Sequence, residues 1–79
     1  MAKVPTPKES ANLILQRFKI NHLRAGDMLL TGPLMMAFQQ EGFTGEDLQK
    51  GLDYASERHW IEIDNTTVFL TDDGFSEIK

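Results

Sequence analysis

The chain lacks cysteine among its 79 residues, so it forms neither disulfides nor thiolate metal sites. It has only two histidines, His22 and His59, and no further ligands stand at a spacing that would complete a metal site. Long apolar runs are also missing, so we expect no signal peptide and no membrane span. By default, these absences favour a cytoplasmic location.

Motifs of the common enzyme classes are missing as well. There is no nucleophile elbow, no glycine-rich phosphate loop and no Cys–His arrangement. The adjacent carboxylates Glu46-Asp47 and Asp72-Asp73 open predicted helices, where the helix dipole accounts for them without catalysis. We therefore expect a non-catalytic protein without a cofactor, and no small-molecule substrate is evident.

Positive charge is scarce over most of the chain. Eight Lys and Arg residues face twelve Asp and Glu residues, which gives a net charge of −4. Residues 1–24 hold five of the bases and one acid, so they carry +4. Residues 25–79 hold the other three bases and eleven acids, so they carry −8. Because phosphate contact is mostly electrostatic, this asymmetry argues against DNA contact by the acidic part.

The sequence does contain clear helix signals, and the first lies near the N-terminus. The stretch Thr6-Pro7-Lys8-Glu9 reads as a capping box with proline at the first helical position. We expect this helix to end near Asn21, which would take the left-handed conformation. Its apolar stripe consists of Ala11, Ile14, Leu15 and Phe18. We expect one domain over residues 1–79, with residues 1–5 as a flexible arm.

Two more helices are predicted in the middle of the chain. Pro33 indicates a start with Thr31 or Gly32 as the cap, and the short apolar run before it, residues 28–30, is predicted to be an edge strand. Thr44 and Asp47 have the spacing of a second capping box, after a turn at Gly42. That helix is predicted to end near Arg58 or His59. The two apolar stripes are Leu34, Ala37 and Phe38, and Leu48, Leu52 and Ala55.

A β-hairpin is predicted to follow, with strands at residues 60–64 and 67–71. Closing it at Asn65-Thr66 places Ile63 opposite Val68 and Ile61 opposite Leu70. These four side chains are predicted to share the core face, and Trp60, Glu62 and Phe69 the other face. A last helical turn, capped by Thr71, is predicted to return Phe75 and Ile78 to the core.

This order of elements, with Leu70-Thr71-Asp72-Asp73-Gly74-Phe75 after the hairpin, resembles the winged helix-turn-helix superfamily. In that superfamily the hairpin is the wing, and a Leu-Thr-x-x-Gly sequence often closes the last strand. The resemblance covers residues 8–78. It implies an α+β fold with three main helices, a hairpin wing that a third short strand can join, and a short C-terminal helical turn.

The resemblance implies DNA binding by default, with the second helix of the helix-turn-helix in the major groove. The candidate contacts are Thr44, Gln49, Lys50 and Arg58 on that helix and Lys8, Arg17, Lys19 and Arg24 in the N-terminal region. However, the same helix carries four acids, Glu46, Asp47, Asp53 and Glu57, and the hairpin tip has no base. Each acid beside a phosphate is repulsive.

Trp60 and Phe69 are candidates for a protein-contact surface. They lie one pairing step apart on the predicted outer face, where their rings could touch, and aromatic residues are enriched at interfaces. Met35 or Met36 could extend such a surface. The alternative is that both aromatic residues are covered within the monomer. We therefore predict a non-catalytic module for protein contact or self-association, with a homodimer or a separate protein as the partner and DNA as the alternative ligand.

Overall fold

The computed structural model describes residues 4–78, which form four helices and one three-stranded antiparallel sheet. The helices are α1 (Pro7–Ile20), α2 (Thr31–Gln40), α3 (Gly45–Glu57) and α4 (Asp72–Ile78). The strands are β1 (Met28–Leu30), β2 (Ile61–Asp64) and β3 (Thr67–Leu70), in the spatial order β1-β3-β2. The predicted α+β class and the short third strand are both confirmed.

Both predicted capping boxes are formed. The Thr6 hydroxyl accepts a hydrogen bond from the Glu9 amide, while the Glu9 carboxylate accepts one from the Thr6 amide. Thr44 and Asp47 make the same reciprocal pair at the start of α3, at 3.2 and 2.9 Å. An aspartate in place of the usual glutamate therefore still reaches the amide of the cap.

The core lies where α1 crosses α3, beneath the inner face of the sheet. Gly51 makes the close crossing possible, because a Cβ atom there would lie 2.7 Å from the Cβ of Ser10. Phe18, Phe38 and Val68 are fully buried around this crossing. The Ser10 hydroxyl is buried with them and has no hydrogen-bond partner among residues 4–78.

The three long helices end in the same way. The amide of the second residue after each C-cap bonds to a carbonyl five residues back, in the Schellman arrangement: Leu23 to Phe18, Phe43 to Phe38 and Trp60 to Ala55. The residue before each has a positive φ: His22 (57°), Gly42 (82°) and His59 (61°). The expectation of a left-handed Asn21 is therefore wrong, since Asn21 has φ −87° and His22 takes that conformation.

The Leu-Thr-x-x-Gly stretch joins the hairpin to α4. The Thr71 hydroxyl donates to the His59 carbonyl and accepts from the Gly74 amide. A Cβ atom on Gly74 would lie 2.1 Å from the Trp60 carbonyl oxygen, so only glycine fits there. The predicted cap at Thr71 is confirmed, and the C-terminal element is a helix of seven residues.

The hairpin has the predicted register, with Ile61 opposite Leu70 and Ile63 opposite Val68. Ile61, Val68 and Leu70 are buried, but Ile63 is 41% exposed. The prediction that Ile63 lies in the core is therefore wrong in part. Ile61 on the same edge strand is buried, so the difference lies in position along β2: Ile63 is next to the hairpin tip, and it also has a neighbouring strand on one side only.

Two further expectations need correction. Helix α2 begins at Thr31, and its N-cap is Leu30 without a side-chain hydrogen bond, so neither Thr31 nor Gly32 is the cap. The predicted flexible arm falls partly on residues 1–3, which lie outside the described residues. Val4 is exposed, whereas Pro5 is buried, so the chain lies against the domain from Pro5 onward.

Candidate functional site

The exposed face of α3 carries the predicted groove-reading residues, and each already has a partner within the chain. The side-chain amide of Gln49 donates to the Asp53 carboxylate at 3.0 Å. The Lys50 ammonium lies 3.8 Å from the Glu46 carboxylate. Such exposed pairs contribute little to stability. They do, however, direct the only amide and the only base on this face toward acids of the same helix.

Thr44 and Arg58 lie at the two ends of α3 and are engaged as well. The Thr44 hydroxyl accepts a hydrogen bond from the Asp47 amide. The Arg58 guanidinium carbon lies 4.7 Å from the centroid of the Tyr54 ring and 5.9 Å from that of Trp60. These distances suit cation–π attraction, which holds Arg58 over the aromatic rings at the end of the helix.

The exposed charges of strand β2 are acidic as well. In β2, Glu62 and Asp64 are exposed, and the tip adds only Asn65 and Thr66. The exposed charges of α3 are Glu46, Asp53 and Glu57 against Lys50, a local charge of −2. With Glu62 and Asp64 included, the exposed charges of α3 and β2 sum to −4, and Arg58 at the C-cap of α3 brings the sum to −3.

The outer face of the sheet includes two exposed apolar residues, Met28 and Leu30, that the sequence did not indicate as part of a contact surface. Directly opposite residues in antiparallel strands share a face, so the register places Met28, Phe69 and Glu62 in one row. Leu30, Thr67 and Asp64 form the next row on the same face. Met28 is 54% and Leu30 48% exposed, and Phe69 is half-buried. The face therefore changes from apolar at β1 to acidic at β2.

Trp60 lies apart from this face. Its ring centroid is 5.9 Å from that of Tyr54, and Trp60 packs half-buried against the core. Within residues 4–78, its ring does not stack on that of Phe69. Trp60 thus packs against Tyr54, whereas Phe69 lies on the outer face of the sheet, so the predicted shared surface of the two is not formed. The reason is that the chain turns at His59 before β2 begins at Ile61.

The two methionines of α2 are also separated. Met35 is half-buried and packs against the core, with its terminal methyl group next to Gly45. Met36 is 62% exposed. Of the four predicted partner-surface residues, the structure therefore places only Phe69 on the outer sheet face and leaves Met36 as a separate exposed side chain.

The basic residues of α1 do not form one patch. Lys8 and Lys19 share a side of the helix, but eleven residues at 1.5 Å each separate them by about 16 Å. Arg17 lies about 180° around the helix from Lys8. Only Lys19 and Arg24 come together, with His22, beside α4.

The part of the chain that the structure describes holds no cluster of metal ligands. The region contains no group of three His, Asp or Glu residues that could hold a metal ion. Between residues 4 and 78, no helix has the combination of length and apolarity needed to cross a membrane. His22 and His59 instead take the positive-φ positions after α1 and α3.

Comparison of this chain with known proteins identified no relative. No protein-family model matches the chain, and neither a curated protein nor a solved structure matches it.

Proposed function

We propose that this chain is a non-catalytic winged-helix module that contacts protein and does not read a DNA groove. The order α1-β1-α2-α3-β2-β3 supports a helix-turn-helix, formed by α2 and α3, followed by a hairpin wing. The Thr71 hydroxyl forms hydrogen bonds with His59 and Gly74, so the Leu-Thr-x-x-Gly sequence that carries the resemblance has a structural role.

Electrostatics argue against groove reading by α3. In this architecture α3 would enter the major groove, with the hairpin beside the phosphates. The charge on the exposed side chains of α3 and β2, −3 with Arg58 at the C-cap included, would repel the duplex, since affinity for DNA depends largely on phosphate neutralisation. Gln49 and Lys50, the side chains suited to base edges, are paired with Asp53 and Glu46.

The single observation that carries the proposal is the outer face of the sheet. Met28 and Leu30 are about half exposed there, and Met28 lies directly opposite Phe69. Apolar side chains gathered on one face, with acids at its border, are typical of a protein-contact surface.

A second candidate function is DNA contact through the end of α1. Lys19 and Arg24 come together there with His22, and a local basic face can bind DNA even on an acidic protein. This alternative needs neither α3 nor the hairpin.

An amide NMR titration with mixed-sequence duplex DNA at low salt separates these functions. If the protein-contact proposal holds, residues 44–58 show no shifts. Shifts in residues 44–58 that salt reverses and that Lys50→Glu abolishes would establish groove reading instead. The matched control is Lys8→Glu, which makes the same charge change on α1. Shifts confined to residues 17–24 would establish contact through the end of α1.

A further inference from the structure

Two shallow depressions of opposite charge lie side by side on this molecule. The acidic depression, of about 450 Å³, is lined by Phe69 and Ala25 together with the acids Glu62 and Asp72. The basic depression, of about 310 Å³, is lined by Lys19, His22 and Arg24 together with the apolar residues Leu23, Phe75 and Ile78.

The two depressions share a border. The chain passes directly from Arg24 in the basic depression to Ala25 in the acidic one. Helix α4 also spans both, since Asp72 lines the acidic depression and Phe75 the basic one. Because residues three positions apart lie on one face of a helix, Asp72 and Phe75 place the two depressions next to each other along α4.

We propose that the partner of this surface is a second copy of the chain, related by a two-fold axis that passes near the border. In such a dimer, the basic depression of each copy covers the acidic depression of the other. A two-fold interface uses the same surface on both copies, which is possible because one surface contains both complementary parts. The inference rests on the proposed function, since it names the protein that the module contacts.

Apolar contact and charge pairing both contribute to this interface. Phe69 is half-buried on the outer face of the sheet, and it would pack against Leu23 and Phe75, which are half-buried in the other copy. Lys19 and Arg24 would lie near Glu62 and Asp72 at the border, where charges mainly determine orientation and partner choice.

The dimer is expected to be weak. Each copy carries a net charge of −4, so the copies repel each other at long range, although salt screens this repulsion beyond about 10 Å at 0.1 M. Two shallow depressions also offer less area than the roughly 1,600 Å² of a standard interface. Association must therefore be measured at high protein concentration.

Sedimentation velocity over a concentration series tests the proposal with a charge swap. Arg24→Glu alters the basic depression and Glu62→Lys the acidic one, and both side chains are exposed, so folding is retained and can be checked by circular dichroism. Each variant alone places like charges in both symmetric contacts, and we expect its dissociation constant to rise about tenfold or more.

Mixing the two variants gives the decisive result. In the mixed dimer, the altered basic depression meets the altered acidic one with the charges reversed, and the other contact is unchanged. We expect the mixture to associate within about threefold of the unmodified protein, a difference of well under 1.4 kcal/mol. The matched controls Lys8→Glu and Glu57→Lys make the same net charge changes away from the border and should have neither effect, alone or mixed.

Three results would overturn the proposal. They are a monomer at every concentration, a dimer that the two substitutions do not weaken, and weakened variants that mixing does not restore. None of these depends on DNA, so the second-copy proposal can fail while the titration still supports protein contact. Conversely, a charge-swap rescue together with DNA shifts in residues 44–58 would leave the dimer intact and refute the proposed function.

Discussion

Replacing Gly51 with alanine sets two opposing effects against each other. In an ordinary helix interior, alanine is more stable than glycine by about 1 kcal/mol. At Gly51, however, the new Cβ atom would lie 2.7 Å from the Cβ of Ser10 and 2.8 Å from the Ser10 carbonyl carbon. The second of these is a backbone atom, so no side-chain rotation can relieve the contact.

The cost of the contact exceeds the gain in helix propensity. Relief requires α1 and α3 to move apart, and these helices form the most extensive helix–helix packing in the protein. Overpacking of this kind typically costs about 1–3 kcal/mol, and backbone contacts belong at the upper end. We expect Gly51→Ala to lower the free energy of unfolding by about 1–2 kcal/mol. For a domain of this size, the melting temperature should then fall by about 4–16 °C.

Urea unfolding, followed by far-ultraviolet circular dichroism and by Trp60 fluorescence, measures this change. The matched control is Gly32→Ala in the first turn of α2, where a Cβ atom would meet nothing within 4 Å. The control should leave stability unchanged or raise it by up to about 1 kcal/mol. If Gly51→Ala were as stable as Gly32→Ala, the close crossing of α1 and α3 would be refuted.

Four more substitutions test the local geometry by the same urea assay. His59→Gly should raise the free energy of unfolding by up to about 1 kcal/mol, because glycine adopts the positive φ of 61° without strain. Gly42→Ala should lower it by about 1 kcal/mol for the converse reason. If both variants were as stable as the unmodified protein, this reasoning would be contradicted. Gly74→Ala should cost about 3 kcal/mol through its clash with the Trp60 carbonyl, and an unchanged midpoint would rule out that contact. Ser10→Ala should stabilise by about 1 kcal/mol by removing an unpaired buried hydroxyl, and a loss of stability would reveal a partner for that hydroxyl.

Helix starts and the hairpin register could be predicted from the sequence because they depend on near neighbours. A capping box acts over three residues, so Thr6 and Thr44 identify their helix starts without knowledge of the fold. The hairpin register follows from a two-residue turn at Asn65-Thr66, which also determines that Ile61 pairs with Leu70.

The left-handed positions show how a local signal can be present and still be misread. Each long helix ends with a positive-φ residue followed by a large apolar one: His22-Leu23, Gly42-Phe43 and His59-Trp60. The sequence predicts the left-handed conformation at Gly42 but not at the two histidines, because the Cβ atom of histidine makes this conformation costly. The apolar residue that follows was the available signal, because a Schellman motif commonly packs it back onto its helix.

By itself, the sequence determined the α+β class, the helix starts, the hairpin and the acidic character of α3, all of which follow from composition or from contacts within a few residues. Only the tertiary structure decided which side chains share a surface. The pairing of β1 with β3, which puts Met28 beside Phe69, joins residues about forty positions apart, and no local pattern encodes that register. The turn at His59, which takes Trp60 to Tyr54, and the border between Arg24 and Asp72 likewise arise from packing between distant segments.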